Sequence, residues 1–147
     1  MFSKIALGMF MCAVLCGCAN SATRYTLDSG EGVYAFTHEI SKDQSTAYYL
    51  AEEWLSTSIR NANEAITMRQ PDTGTLIANP SMQVPVAFTY FWCSYTVRIT
   101  CKDKQVSTKF TLGKLDNGTY PPRDAMPGIR AKFTSINLDL IEYIEGN

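Results

Sequence analysis

Between Phe88 and Lys102 the chain alternates from end to end. Phe91, Cys93, Tyr95, Val97, Ile99 and Cys101 fall on one side, and Tyr90, Trp92, Ser94, Thr96, Arg98 and Thr100 on the other. Successive side chains of a strand point to opposite faces, so the run reads as one long strand with the first set on the core. A strand of that length with one apolar face needs partner strands and a cover, which commits the chain to a sheet-based fold. The same geometry decides the fate of two cysteines. At ~3.3 Å per residue, Cys93 and Cys101 lie roughly 26 Å apart on one strand, far beyond the ~7 Å Cα limit of a disulfide. Both are expected to be reduced and buried, acting as small apolar residues.

The partners of this strand can be read on either side of it. Lys102-Asp103-Lys104 turns the chain into Gln105–Leu112, where Val106, Thr108, Phe110 and Leu112 repeat the alternation and complete a hairpin. Upstream, residues 65–70 and 75–79 are extended runs joined by the turn formers Pro71-Asp72-Thr73-Gly74, a second hairpin. Pro80 and Pro85 interrupt the next stretch, so residues 80–87 are expected to be an irregular edge or loop. Val33–Ile40 reads as a first strand, with Tyr34, Phe36, His38 and Ile40 sharing a face. From Ser41 the period becomes helical: Ala47, Leu50, Ala51, Trp54, Leu55, Ser58, Ile59 and Ala62 form a stripe, with Asp43 or Ser45 available as cap. Residues 113–132, with Asn117-Gly118, Pro121-Pro122 and Pro127-Gly128, read as loop-rich. Ser135 then opens a final helix to about Glu145, with Ile136, Leu140, Ile141 and Ile144 as its stripe. The order β-α-β-β-β-β-α predicts an α+β fold: an antiparallel sheet of about five strands with helices on one face.

The N-terminus is of a different kind. Met1-Phe2-Ser3-Lys4 precedes an apolar run from Ile5 to Leu15, about half of the roughly 20 residues a membrane span needs, and polar residues come at once after it. Residues 1–17 therefore read as a removable signal peptide. Leu15-Cys16-Gly17-Cys18 resembles the lipobox of bacterial lipoproteins, an aliphatic residue at −3 and a small one at −1 before the lipidated Cys. Cys12 follows Met11 and Cys16 follows Leu15, both too large for the small position, so Cys18 is the expected lipidation site. Ala19 in place of Asp after that Cys implies, by the same resemblance, the outer membrane. Residues 18–32 are polar and aperiodic and read as a lipidated tether, leaving residues 33–147 as one domain. With 13 Lys and Arg against 14 Asp and Glu, no strongly basic face and no nucleic-acid partner is expected.

The sequence carries no familiar catalytic motif. His38 is the one histidine, on a strand and without a nucleophile motif, and it reads as a packed or partly exposed sheet residue. Cys93, Cys101 and His38 lack the paired spacing of a metal site. Adjacent Glu52 and Glu53 point about 100° apart on a helix, which suits solvent rather than acid–base work. The glycines sit in turns, without a phosphate-loop pattern. No metal or cofactor is expected, and the chain reads as no enzyme.

A strand followed by a Ser/Asp-rich lead into a helix with Tyr49 and Ala51-Glu52-Glu53-Trp54-Leu55, a hairpin turning at Asp72-Thr73-Gly74, and the aromatic-rich strand closing on Tyr95-Thr96-Val97-Arg98-Ile99 together carry a likeness. Over about residues 33–112 the chain resembles the bacterial envelope domain of unknown function with a TATA-binding-protein-like fold. The resemblance implies topology and brings no catalytic residue, since fold does not imply function.

The second face of the long strand is left to account for. If helices cover the first face, Tyr90 and Trp92, with Phe88 in line, lie uncovered beside Arg98 and Lys109. Such an aromatic cluster with a basic rim can bind a protein or a sugar-like polymer, unless residues 113–132 fold across it. The expected function is thus a membrane-anchored, non-enzymatic envelope lipoprotein that binds another envelope component through Tyr90, Trp92 and Arg98. The alternative is a periplasmic immunity or inhibitor lipoprotein that neutralises a toxin.

Overall fold

The computed structural model describes residues 32–59 and 65–147. The signal peptide, Cys18, the tether up to residue 31, and Ala62 of the expected helical stripe lie outside the described residues. Among the described residues six strands, all paired antiparallel, make one sheet: β1 (Val33–Glu39), β2 (Ile66–Gln70), β3 (Thr75–Ala78), β4 (Ser81–Val86), β5 (Thr89–Lys102) and β6 (Gln105–Leu115). Their order is β1-β6-β5-β3-β2, with β4 paired to β5 off that path. The long alternating run is the axis of the sheet. One edge of β5 takes β6, and the other takes β4 along Thr89–Ser94 and then β3 along Val97–Thr100.

Two helices cover the face that carries Cys93, Tyr95, Val97, Ile99 and Cys101, all buried as the alternation requires. Helix α1 (Gln44–Ser58) starts at Asp43, whose carboxylate accepts the Thr46 N–H at 2.9 Å; of the two candidate caps, Asp43 is the one used. It buries Ala47, Tyr48, Ala51, Trp54 and Leu55, and stops where Ile59 becomes extended. Helix α2 (Met126–Gly146) buries Met126, Ile129, Phe133, Asn137, Leu140 and Ile144. Phe133 is the centre of the core: it stacks on Phe110 at 4.7 Å and meets Tyr95 at 5.1 Å and Tyr34 at 5.2 Å, geometries that add to plain burial. The α+β class and the one-sided helical layer are as expected.

Three expectations are corrected. Residues 81–86 are a regular strand rather than an irregular edge or loop, which makes the sheet six-stranded. Met82 and Val84 point inward, and Pro85 is tolerated because β4 has only β5 beside it, so no second ladder needs its missing N–H. The last helix begins at Met126, nine residues before Ser135, which is exposed in mid-helix. Pro127 breaks nothing, since the first turn of a helix has no N–H bond for proline to remove. Finally, β6 runs on past Leu112 to Leu115 through a bulge opposite Cys93–Tyr95. Gly113 belongs to it, for a Cβ there would stand 2.5 Å from Ser94 Oγ.

Candidate functional site

The Tyr95-Val97 stretch of β5 does not lie fully under the helices. A cleft of about 920 Å³ opens between the C-terminal end of α1, the middle of α2 and the β4–β5 pair. Both tryptophans of the chain line it, Trp54 from α1 and Trp92 from β5. Ile59, Met82, Tyr95, Val97 and Ile136 add apolar surface, and Lys132 and Asp139 place one cation and one anion on the α2 side. Each is delivered by local structure. The helical stripe that buries Trp54 turns its ring toward the sheet. Pro80 accepts the Tyr95 N–H at 3.0 Å and so ties the start of β4 to the strand it borders. Tyr95 is held deep enough that burial pushes its phenol up to about 12, so it stays a neutral hydrogen-bonding group. The volume lies in the usual range for ligand sites, and the half-exposed indole of Trp92, with the rim of the buried Trp54 and a few polar groups, suits a sugar ring or an apolar side chain.

The residues singled out from the sequence are placed apart. Tyr90 and Trp92 are 69% and 49% exposed, and Phe88 is fully exposed, so residues 113–132 do not cover them. Trp92 joins the cleft, while Tyr90 lies farther toward the end of the strand and does not line it. Arg98 stands six residues beyond Trp92, roughly 20 Å away along the strand. It sits on the open face directly opposite Lys109 of β6, among Thr96, Thr100, Ser107 and Thr111. Two like charges paired across strands are mildly destabilising. The single aromatic and basic platform is therefore split into an aromatic end and a cationic centre. Cys18 lies outside the described residues.

His38 has a defined role. Asn137, 1% exposed, accepts the Thr108 hydroxyl at 2.6 Å and turns its amide nitrogen to His38 Nε2 at 2.7 Å. An amide nitrogen only donates, so Nε2 is the acceptor and the ring is fixed against α2. His38 does not line the cleft. Among the described residues, no three His, Cys, Asp or Glu side chains converge as a metal would need.

On the α2 side of the cleft Lys132 escapes sequence reasoning because residues up to 132 read as loop, whereas Ile136 and Asp139 fall on the expected helix. The sequence does carry a signal: no charged residue and no histidine occurs between Asp72 and Arg98, although half of that stretch is surface. Within it Phe88, Tyr90 and Trp92 are exposed, the kind of apolar surface that marks interaction sites.

The fold defined by this sheet and its one-sided helices is TBP-like. A TBP-like protein from Parabacteroides distasonis superposes with a TM-score of 0.59 at 14% identity, covering 82% of this chain and 96% of that one. A DUF4468 family protein from Bacteroides ovatus superposes with a TM-score of 0.56, also at 14% identity, covering 81% of this chain and 88% of that one. At such identities the likeness is one of fold. No family model matches the chain, and no curated protein does.

Proposed function

We propose that the chain is an outer-membrane lipoprotein, anchored through Cys18, whose domain is a non-enzymatic module that holds another envelope component in the cleft between Trp54 and Trp92. The observation that carries the reading is the placement of both tryptophans of the chain on one open cleft, with Lys132 and Asp139 beside them. A half-exposed Trp is costly to leave in water and is the residue type that dominates binding energies at interfaces. The Leu15-Cys16-Gly17-Cys18 sequence with Ala19 supports the anchor and its membrane. Three acyl chains, at ~0.8 kcal/mol per buried CH₂, make such an anchor effectively permanent.

The test is a pull-down of the native, detergent-extracted chain from its own envelope, beside Trp92→Ala and Arg98→Ala, read by mass spectrometry. The cleft predicts a partner lost with Trp92→Ala and kept with Arg98→Ala. A partner kept by the first and lost by the second moves binding to the open face. A partner absent from the wild type as well counts against a resident envelope component and favours an incoming toxin.

A further inference from the structure

The β4–β5 hairpin does not end with the sheet. Pairing of β5 with β6 stops at Cys93 and Leu115, so residues 84–91 continue as a two-stranded ribbon, its inner face (Val84, Val86 and Phe91) packed on the core and its apex free. Val86 pairs with Thr89, which leaves Ala87 and Phe88 as a two-residue turn. Turns of this length favour Gly, Asn or Asp, because they need positive φ. Here Ala87 takes φ 53° and Phe88 stands wholly exposed, with Tyr90 69% exposed behind it. The β5–β6 turn takes the same backbone at Lys104, φ 56°, with charged residues at its tip, so what sets this turn apart is its apolar apex.

We infer that this apex enters the lipid–water interface of the membrane that carries the chain, with Phe88 leading and Tyr90 at headgroup level. Three observations select lipid over protein. The ribbon has no charge to desolvate, since none occurs between Asp72 and Arg98. With Phe91 turned to the core, its exposed aromatics are graded, Phe88 at the apex, then Tyr90, then Trp92, placing the wholly apolar ring foremost and the rings with a polar group behind it, an order that suits a boundary dry at one end and wet at the other. Pro85 leaves the free edge of β4 without one N–H donor, which disfavours the added strand by which a protein would most simply extend the hairpin.

The direction of the ribbon agrees, provided the proposed Cys18 anchor holds. β1 and β5 are both antiparallel to β6, so both begin at the same end of the sheet. Leu112 donates to Gly32 and pairs with Tyr95, which sets Gly32 level with Tyr95. The apex at Phe88 therefore projects roughly 23 Å beyond the point where the tether leaves. Residues 18–31 can span at most about 50 Å, enough to let the apex touch the membrane.

Phe88→Trp places a reporter at an apex with no packing to disturb. The test uses the native chain, extracted from its membrane and reconstituted in phosphatidylethanolamine/phosphatidylglycerol vesicles. Emission added by the new Trp over the Trp54 and Trp92 background is expected to fall roughly twofold when the lipids are brominated near the top of the acyl chain. Adding Tyr90→Asp is expected to abolish the drop. Emission untouched by bromine in chains that float with the vesicles overturns the inference. Unquenched emission that shifts to the blue as protein density rises overturns it too, assigning the apex to a second copy. The mass of the extracted chain reports separately on Cys18. Should acyl groups be missing, the anchor fails, and bromine quenching of the chain added to the same vesicles still decides the apex.

Discussion

Trp54 serves two masters. It is 6% exposed, seals α1 to the sheet, and forms a wall of the cleft. Trp54→Ala should lower stability by about 3–5 kcal/mol, the range for large aromatics removed from a core, and a urea titration at neutral pH measures it. An unchanged midpoint would mean that the ring does not hold the helix. The helical period makes this residue legible, as the strand alternation makes Cys93 and Cys101 legible as separate, buried thiols. His38 is only half legible. Its strand and face follow from the local pattern, but its partner Asn137 is 99 positions away on α2 and also holds Thr108 of β6. Nothing local announces a contact among three elements that meet only when the sheet is complete.

At the scale of elements, periodicity is a sound guide and proline a misleading one. α1 and β5 are unambiguous because each repeats its period many times. β4 and the first turns of α2 stay hidden for one reason: Pro80, Pro85 and Pro127 read as breakers, whereas an edge strand and a helix N-terminus are the two settings that tolerate proline. The true start of α2 matters for how its far end is fixed. Glu145 accepts the Ser41 N–H and the Ser41 hydroxyl, both at 2.6 Å, tying the last turn of α2 to the β1–α1 connection. The hydroxyl and then the N–H hold its carboxyl below the usual carboxylate range. A carboxyl lowered by folding adds stability that is complete above its unfolded value and is lost as pH falls through its folded one. The advantage of wild type over Glu145→Gln should thus be present at neutral pH and shrink on acidification. Urea midpoints of both chains across that range check it, and a constant difference would show the tie to be worth nothing.

Taken together, the described residues form one sheet with one dry face, and their thiols can report on that. Cys93 and Cys101 are fully buried, and burial pushes both thiols up to about 11. Alkylation by iodoacetamide should therefore wait for the sheet to open and follow global unfolding, both sites together. Fast labelling of Cys93 alone would show that the β4–β5 end opens by itself. The class and the one-sided cover are legible because they depend on patterns within single elements. The cleft is not, because it depends on how three elements diverge.

β1 sits at the edge of the sheet, and that placement governs when the domain can fold. Among the described residues its only neighbour is β6, so Val33–Glu39 must wait for residues 105–111, and Tyr34 waits longer still, for Phe133. Closing so large a loop is entropically slow, and contacts distant in sequence delay folding. An emerging chain cannot complete the domain from its first two-thirds. The core closes only around Phe133, so the fold is finished not by its long central strand but by the arrival of its last helix.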